Sequence, residues 1–120
     1  MPSAPDGRRQ QPLKPAVFYI LLVLAGRESH GYGVMQAVRE QSGGQVPLRT
    51  GSFYRHLARL IEAGLVSEAA TRPAGDDPRR GTYYRITPRG QRVLAAERER
   101  LAALVAALDG LQQTPGRGRA

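Results

Sequence analysis

The sequence has no cysteine and no tryptophan, a single lysine (Lys14) and only two histidines. Without cysteine, disulfide bonds and thiolate metal sites are excluded, and a reducing compartment is compatible with the composition. A zinc site normally needs three or four ligands, whereas His30 and His56 stand far apart in the chain. We therefore expect a cytoplasmic protein that carries no metal and no cofactor.

A long hydrophobic run is also missing. The apolar segment at residues 16–25 is too short to cross a bilayer as a helix. Arg8 and Arg9 precede it, as in an export signal, but no clean cleavage site follows, and Pro15 suits the first turn of a folded helix. The apolar residues near the C-terminus form a seam without an aromatic-rich face, which disfavours a membrane-surface protein.

Residue groups typical of catalysis are absent from the sequence. It shows no nucleophile with a base and an acid, no glycine-rich phosphate loop and no carboxylate pair in a plausible cleft. Glu97 and Glu99 alternate with Arg98 and Arg100, which indicates surface ion pairs. The chain is therefore not expected to be an enzyme.

Positive charge is plentiful. The 120 residues carry a formal net charge of +8, which favours a polyanionic partner such as nucleic acid. Almost all of this charge is arginine, which suits bidentate contacts to phosphate and guanine, although genome base composition produces the same bias. The length fits one domain with one modest core.

Helix and turn signals divide the chain into four parts. Residues 1–12 are expected to form a flexible basic arm, 13–87 a winged helix-turn-helix DNA-binding domain, 88–111 a C-terminal dimerisation helix and 112–120 a disordered tail. The fold class is mainly α with a β-hairpin wing, in the order helix, helix, helix, strand, strand, helix.

Capping residues mark the element ends. Ser29 or His30 is expected to start the second helix, Gly43–Gly44 to end it, and Thr50 to cap the third. Residues 65–72 and 82–86 are predicted strands, and Thr87–Pro88 opens the last helix. The tyrosines at 32, 83 and 84 are expected to pack between elements rather than to bind a ligand.

The third predicted helix has two faces. Phe53, Leu57, Leu60 and Ile61 recur at helical spacing and should pack inward, leaving polar and basic side chains outside. Such a helix offers hydrogen-bond donors to a DNA groove, and arginines in the wing can reach phosphates. The candidate DNA-binding residues are Arg49, Thr50, Ser52, Tyr54, Arg55, His56, Arg59, Arg79 and Arg80.

The last predicted helix has heptad-like leucines but little of its own domain left to cover. A two-fold dimer that pools the first and last helices would bury them. The candidate interface residues are Val17, Phe18, Leu21, Leu94, Leu101, Leu104 and Leu108. A small aromatic or apolar effector is expected between the subunits, with candidate contacts Phe18, Tyr19, Leu22, Leu101 and Leu104.

Four segments resemble the PadR-type transcriptional regulators in order and spacing: LLVLA (21–25) with HGYG (30–33), TGSFYRHL (50–57), LIEAGLV (60–66), and RGTYYRIT (80–87) followed by Gly90. The resemblance implies a homodimeric repressor whose third helix enters the major groove while its wing touches the DNA backbone. The short length is similar to the compact branch of that family. Some members of that branch stack flat ligands on a tryptophan, which this sequence lacks.

Two functions are compatible with these observations. The first is a ligand-responsive homodimeric repressor that binds double-stranded DNA at an inverted repeat. The alternative is a winged-helix module that assembles proteins without sequence-specific DNA binding. Strongly salt-dependent association with a duplex distinguishes the first from the second.

Overall fold

The computed structural model describes residues 11–70 and 73–112, so most of the predicted arm and tail lies outside the described residues. Within them are four α-helices, three short strands and one 3₁₀ turn, Pro78–Arg80. The helices are α1 Pro15–Gly26, α2 Gly31–Gln41, α3 Thr50–Glu62 and α4 Pro88–Gln112. The strands are β1 Ser29–His30, β2 Val66–Glu68 and β3 Tyr83–Ile86. The predicted class, mainly α with a small β-wing, is confirmed.

The sheet is antiparallel, with β3 between β1 and β2. Ser29 pairs with Tyr84 and His30 with Tyr83, while Val66 pairs with Ile86 on the other side of β3. The prediction that Ser29 and His30 simply open a helix was therefore incomplete, because they form a strand immediately before α2. A two-residue strand has no sequence signature, since its pairing partner is supplied from more than fifty residues away.

The helix starts agree with the predictions at two of three positions. His30 caps α2, since its Nδ1 accepts a hydrogen bond from the backbone N–H of Gly33 at 3.2 Å. Thr87 caps α4 by accepting from Gly90 N–H at 3.0 Å. Thr50 was wrongly assigned as the cap of α3, because the extended residue at that position is Arg49 and Thr50 is already helical.

The core lies around α1, which contacts α2, α3, α4 and β3. This position explains why α1 is apolar around most of its circumference. Ile20 and Leu21 on α1 are fully buried, together with Val34 and Phe53. Leu21 was therefore wrongly predicted as a dimer contact, because its side chain is enclosed by its own domain and has no surface left for a partner.

The start of α4 is hydrogen-bonded to the segment that follows α3. The hydroxyl of Thr87 donates to the carbonyl of Gly64 at 2.6 Å, and Thr87 N–H donates to the carbonyl of Leu65 at 3.0 Å. Gly64 has a φ of +79°, which glycine adopts without strain and which ends α3 as predicted. These bonds fix the direction in which α4 leaves the domain.

The two halves of α4 have different surroundings. Ala96 and Glu97 are buried against the domain, whereas residues 101–111 are all exposed. The prediction that Glu97 forms a surface ion pair was wrong, because its side chain is only 3% exposed and is paired with Arg100. Glu99 does lie at the surface, where it pairs with Arg98.

Candidate nucleic-acid interface

The helix α3 presents a polar face away from the core. Phe53, Leu57 and Leu60 are buried, whereas Arg55 and Arg59 are exposed one turn apart. This confirms the predicted amphipathic arrangement, except that Ile61 is 37% exposed rather than fully packed inward. Because α3 is anchored along its apolar side, its arginines project from a rigid support.

His56 lies among cationic groups on the same helix face. Partial burial, followed by the positive charges of Lys14, Arg59 and Arg55, lowers the pKa of His56 from its ordinary value of 6.5. The imidazole is therefore neutral at pH 7 and is able both to donate and to accept a hydrogen bond. We call Lys14, Arg55, His56 and Arg59 the basic face.

Lys14 is a functional candidate that sequence reasoning missed. It directly precedes α1 and acts electrostatically on His56 of α3, so the fold brings it to the basic face. Its separation from α3 in sequence concealed this proximity. The only sequence signal was its status as the single lysine in an arginine-rich chain.

The residues around the start of α3 have unequal access to a ligand. Arg49 and Thr50 are exposed. Ser52 is partly buried, and its hydroxyl donates to the carbonyl of Arg49 at 3.1 Å. The ring of Tyr54 packs edge-on against Phe53 with centroids 4.9 Å apart, and its hydroxyl lies against Gly31, the first residue of α2. Tyr54 therefore packs α3 against the start of α2, although 45% of the residue is exposed.

Wing residues add three further cations. Arg79 is 90% exposed and pairs with Asp77, while Arg80 pairs with Asp76, whose side chain is 3% exposed. Arg85, which was not among the residues predicted to contact DNA, is exposed on β3, and its Nε donates to the hydroxyl of Ser67 across the hairpin at 3.1 Å. The sequence showed that side chains alternate between the two faces of β3, but it did not show which of them the fold would leave exposed.

A polar groove separates the start of α2 from the wing. Its volume is about 540 Å³, and it is lined by His30, Tyr32, Gly33, Gln36, Asp77, Arg79 and Arg80. Tyr32 is 62% exposed, so the prediction that it packs between elements was wrong. Tyr83, by contrast, is buried, and Tyr84 is partly buried, as expected.

Only some of the residues predicted for the dimer interface and the effector site lie together in the structure. An interhelical cavity of about 400 Å³ lies between α1 and α4, lined by Phe18, Leu22, Gln91, Leu94, Ala95, Arg98 and Leu101. Tyr19 is outside this lining and packs edge-on against Phe18 at 5.3 Å. Val17 is partly buried against the core, whereas Leu104 and Leu108 are 50% and 61% exposed further along α4.

Metal ligation and membrane spanning find no support in the described part of the chain. Within residues 11–70 and 73–112, no three acidic or histidine side chains are grouped as metal ligands. No helix in the same ranges combines the length and the hydropathy that membrane spanning requires.

Both the sequence and the fold are similar to those of known transcriptional regulators. The family described as transcriptional regulator PadR-like matches residues 20–96. A PadR family transcription regulator from Clostridium difficile is 19% identical, with 82% of this chain and 99% of that chain covered and a TM-score of 0.66. A PadR-like transcriptional regulator from Bacillus cereus is 21% identical, with coverages of 81% and 90% and a TM-score of 0.66.

A transcriptional regulator from Clostridium thermocellum is 24% identical, with 78% of this chain and 89% of that chain covered and a TM-score of 0.61. Each of these structures supports the winged-helix fold. The search among curated proteins found no match.

Proposed function

Because this chain belongs to the PadR-like family, whose members are DNA-binding transcriptional regulators rather than enzymes, we propose that it is a ligand-responsive homodimeric repressor that binds an inverted-repeat operator. The observation that carries the proposal is the basic face. Arg55 and Arg59 stand exposed on a helix whose other side is locked into the core. A cytoplasmic location, with access to the chromosome, is part of the proposal.

The basic face is suited to a DNA major groove. An α-helix fits that groove, and arginine donors match guanine edges as well as phosphates. The imidazole of His56 adds a hydrogen-bonding group, and Lys14 adds a charge beside α3. Thr50 and Arg49 lie at the helix start, where backbone N–H groups favour a phosphate. Arg79 of the wing extends the positive surface along the backbone.

Dimerisation accounts for the second half of α4. This part of the helix continues beyond the domain and carries five apolar side chains on one side. They are 37–62% exposed: Leu101, Leu104, Val105, Leu108 and Leu111. An apolar stripe of this length is unfavourable in water, and a second copy of the chain offers a matching one. Two-fold symmetry would then place two α3 helices in successive major grooves, about 34 Å apart.

The interhelical cavity is the proposed effector site. Its volume of about 400 Å³ lies within the range of small-molecule pockets, and five of its seven lining residues are apolar. An aromatic or apolar effector bound there would contact α1 and α4 together. Since the dimer is proposed to use the same helices, an effector that prefers one spacing of the α3 helices shifts the equilibrium towards it.

The decisive experiment measures DNA affinity over a salt series. Fluorescence anisotropy with the DNA upstream of the protein's own coding region should give a steep decrease in affinity with salt. Arg55→Ala and Arg59→Ala should each weaken specific binding by about 1–3 kcal/mol if they contact bases. Arg92→Ala is the matched control, since it removes an exposed arginine of α4 that lies outside the basic face.

Two results would contradict the proposal. If the α3 variants bind this DNA as the unaltered protein does, α3 does not recognise it. If binding to any duplex is weak and insensitive to salt, the chain is a protein-assembly module instead.

A further inference from the structure

Asp76 is an acidic side chain buried in an otherwise exposed loop. We call residues 73–82 the wing loop; Pro73, Ala74 and Gly75 precede Asp76 and are exposed. The side chain of Asp76 is nevertheless 3% exposed. A carboxylate in that position requires compensating donors, because removing a charge from water is unfavourable.

Two side chains supply those donors to the same carboxylate oxygen. The hydroxyl of Tyr83 donates to Oδ1 of Asp76 at 2.8 Å, and Nη1 of Arg80 donates to it at 2.9 Å. Charge-assisted hydrogen bonds of this kind are stronger than neutral ones. The hydrogen bond with Tyr83 and the charge of Asp76 also raise the pKa of Arg80, as expected for a guanidinium held in this cluster.

Tyr83 connects this cluster to the helix-turn-helix. It is 7% exposed in β3, where it pairs with His30 of β1. The two rings pack edge-on with centroids 5.4 Å apart, and His30 caps α2 through Gly33. A continuous set of contacts therefore runs from the start of α2 through Tyr83 to Asp76 in the wing loop.

The two wing arginines consequently differ, although the sequence presents them as equivalent neighbours. Arg80 is directed to the buried carboxylate, whereas Arg79 is 90% exposed and forms its ion pair with Asp77 at the surface. Arg79 donates to both carboxylate oxygens of Asp77, but the two side chains remain in contact with water, so a DNA phosphate can compete for the guanidinium. Arg80 cannot leave Asp76 without uncovering a buried charge.

We propose that Asp76 is a positioning residue for DNA binding, which through Tyr83 and Arg80 holds the wing loop so that Arg79 meets the DNA backbone. The inference rests on the proposed function. It predicts a change in DNA affinity opposite to the one that charge alone would give. Removing an acidic charge near DNA should strengthen binding, whereas removing a positioning residue should weaken it.

The test measures affinity for the same upstream DNA over a salt series with Asp76→Ala. We expect binding about fivefold weaker and a slope of log affinity against log salt reduced by about 1, the loss of one phosphate contact. Arg79→Ala should have the same effect, and the double variant should be no worse than either single one, because both changes remove one contact. Glu40→Gln, an exposed acid on α2, is the charge control.

If Asp76→Ala does not fold, Tyr83→Phe removes the hydroxyl alone and should shift affinity and slope in the same direction by a smaller amount. Unchanged or tighter binding by a folded Asp76 or Tyr83 variant would overturn the inference, as would additive effects in the double variant. Failure of the proposed function looks different, since Arg55→Ala and Arg59→Ala would then also bind normally.

Discussion

The carboxylate of Glu97 accepts two hydrogen bonds from the guanidinium of Arg100, at 2.9 Å and 2.7 Å, within one turn of α4. The side chain of Glu97 is 3% exposed, whereas every described side chain from 101 to 111 is exposed. The pair therefore marks the place where α4 leaves its own domain. The two hydrogen bonds help to stabilise a carboxylate that is almost fully removed from water.

Loss of the Glu97 carboxylate should destabilise the domain. Glu97→Ala removes a side chain that is only 3% exposed, together with its two hydrogen bonds to Arg100, so we expect the Tm to fall by about 5 °C. Thermal unfolding followed by circular dichroism measures this. Glu99→Ala is the control, because Glu99 is 77% exposed and its pairing with Arg98 is at the surface. Equal effects from both variants would show that the buried pair has no special role.

Gly90 should not tolerate a side chain. A Cβ at this position would overlap the backbone carbonyl of Leu65 and approach Ile86 to 2.7 Å, so α4 would have to move away from the wing. We expect Gly90→Ala to lower the free energy of unfolding by about 1–3 kcal/mol. Gly110→Ala is the matched control.

Gly110 is also helical, but beyond the adjacent backbone of α4 nothing lies within 4 Å of the position that a Cβ would take there, and alanine favours a helix. That variant should gain about 0.5–1 kcal/mol. Chemical denaturation measures both changes. The same sign for the two variants would contradict the close approach of α4 to Leu65.

A charge on the apolar stripe should separate the proposed dimer without unfolding the domain. Leu108 is 61% exposed, so Leu108→Arg costs the single chain little while placing a charge in the interface. Sedimentation should show a monomer with an unchanged circular dichroism spectrum. Ala106→Arg adds the same charge on the opposite side of α4 and should remain dimeric. A dimer that survives Leu108→Arg would place the interface elsewhere.

His56 should make the free protein less stable in mild acid. Burial, Lys14, Arg59 and Arg55 lower its pKa in the folded state, so the unfolded chain binds a proton first as the pH falls below 6.5. The stability lost between pH 6.5 and the lower folded-state value should be absent in His56→Gln. Thermal unfolding over this range, compared between the two proteins, measures the contribution.

DNA should reverse the sign of this titration. Phosphates beside the basic face favour the imidazolium, so affinity for DNA should rise with acidification in the unaltered protein more than in His56→Gln. If DNA affinity had the same pH dependence in both proteins, the imidazole of His56 would not lie close to the DNA phosphates.

Local signals in the sequence were sufficient for the helices and the general fold. Thr87, Pro88 and Gly64 act through their own backbone preferences and hydrogen bonds, so the start of α4 and the end of α3 were predictable. The apolar spacing of α3 likewise identified its buried face, because periodicity depends only on neighbouring residues. Membership of the family could be inferred from such segments in their order.

The sequence by itself thus determined the four helices, the two strands of the wing, their order and the polar side of α3. Only the tertiary structure decided that Lys14 joins the basic face, that Leu21 and Glu97 are buried and that Arg80 pairs with a buried carboxylate while Arg79 stays exposed. The physical reason is that burial and electrostatic pairing depend on groups brought together from distant parts of the chain. Residues with the same local pattern, such as Glu97 and Glu99, differ only in what the fold places against them.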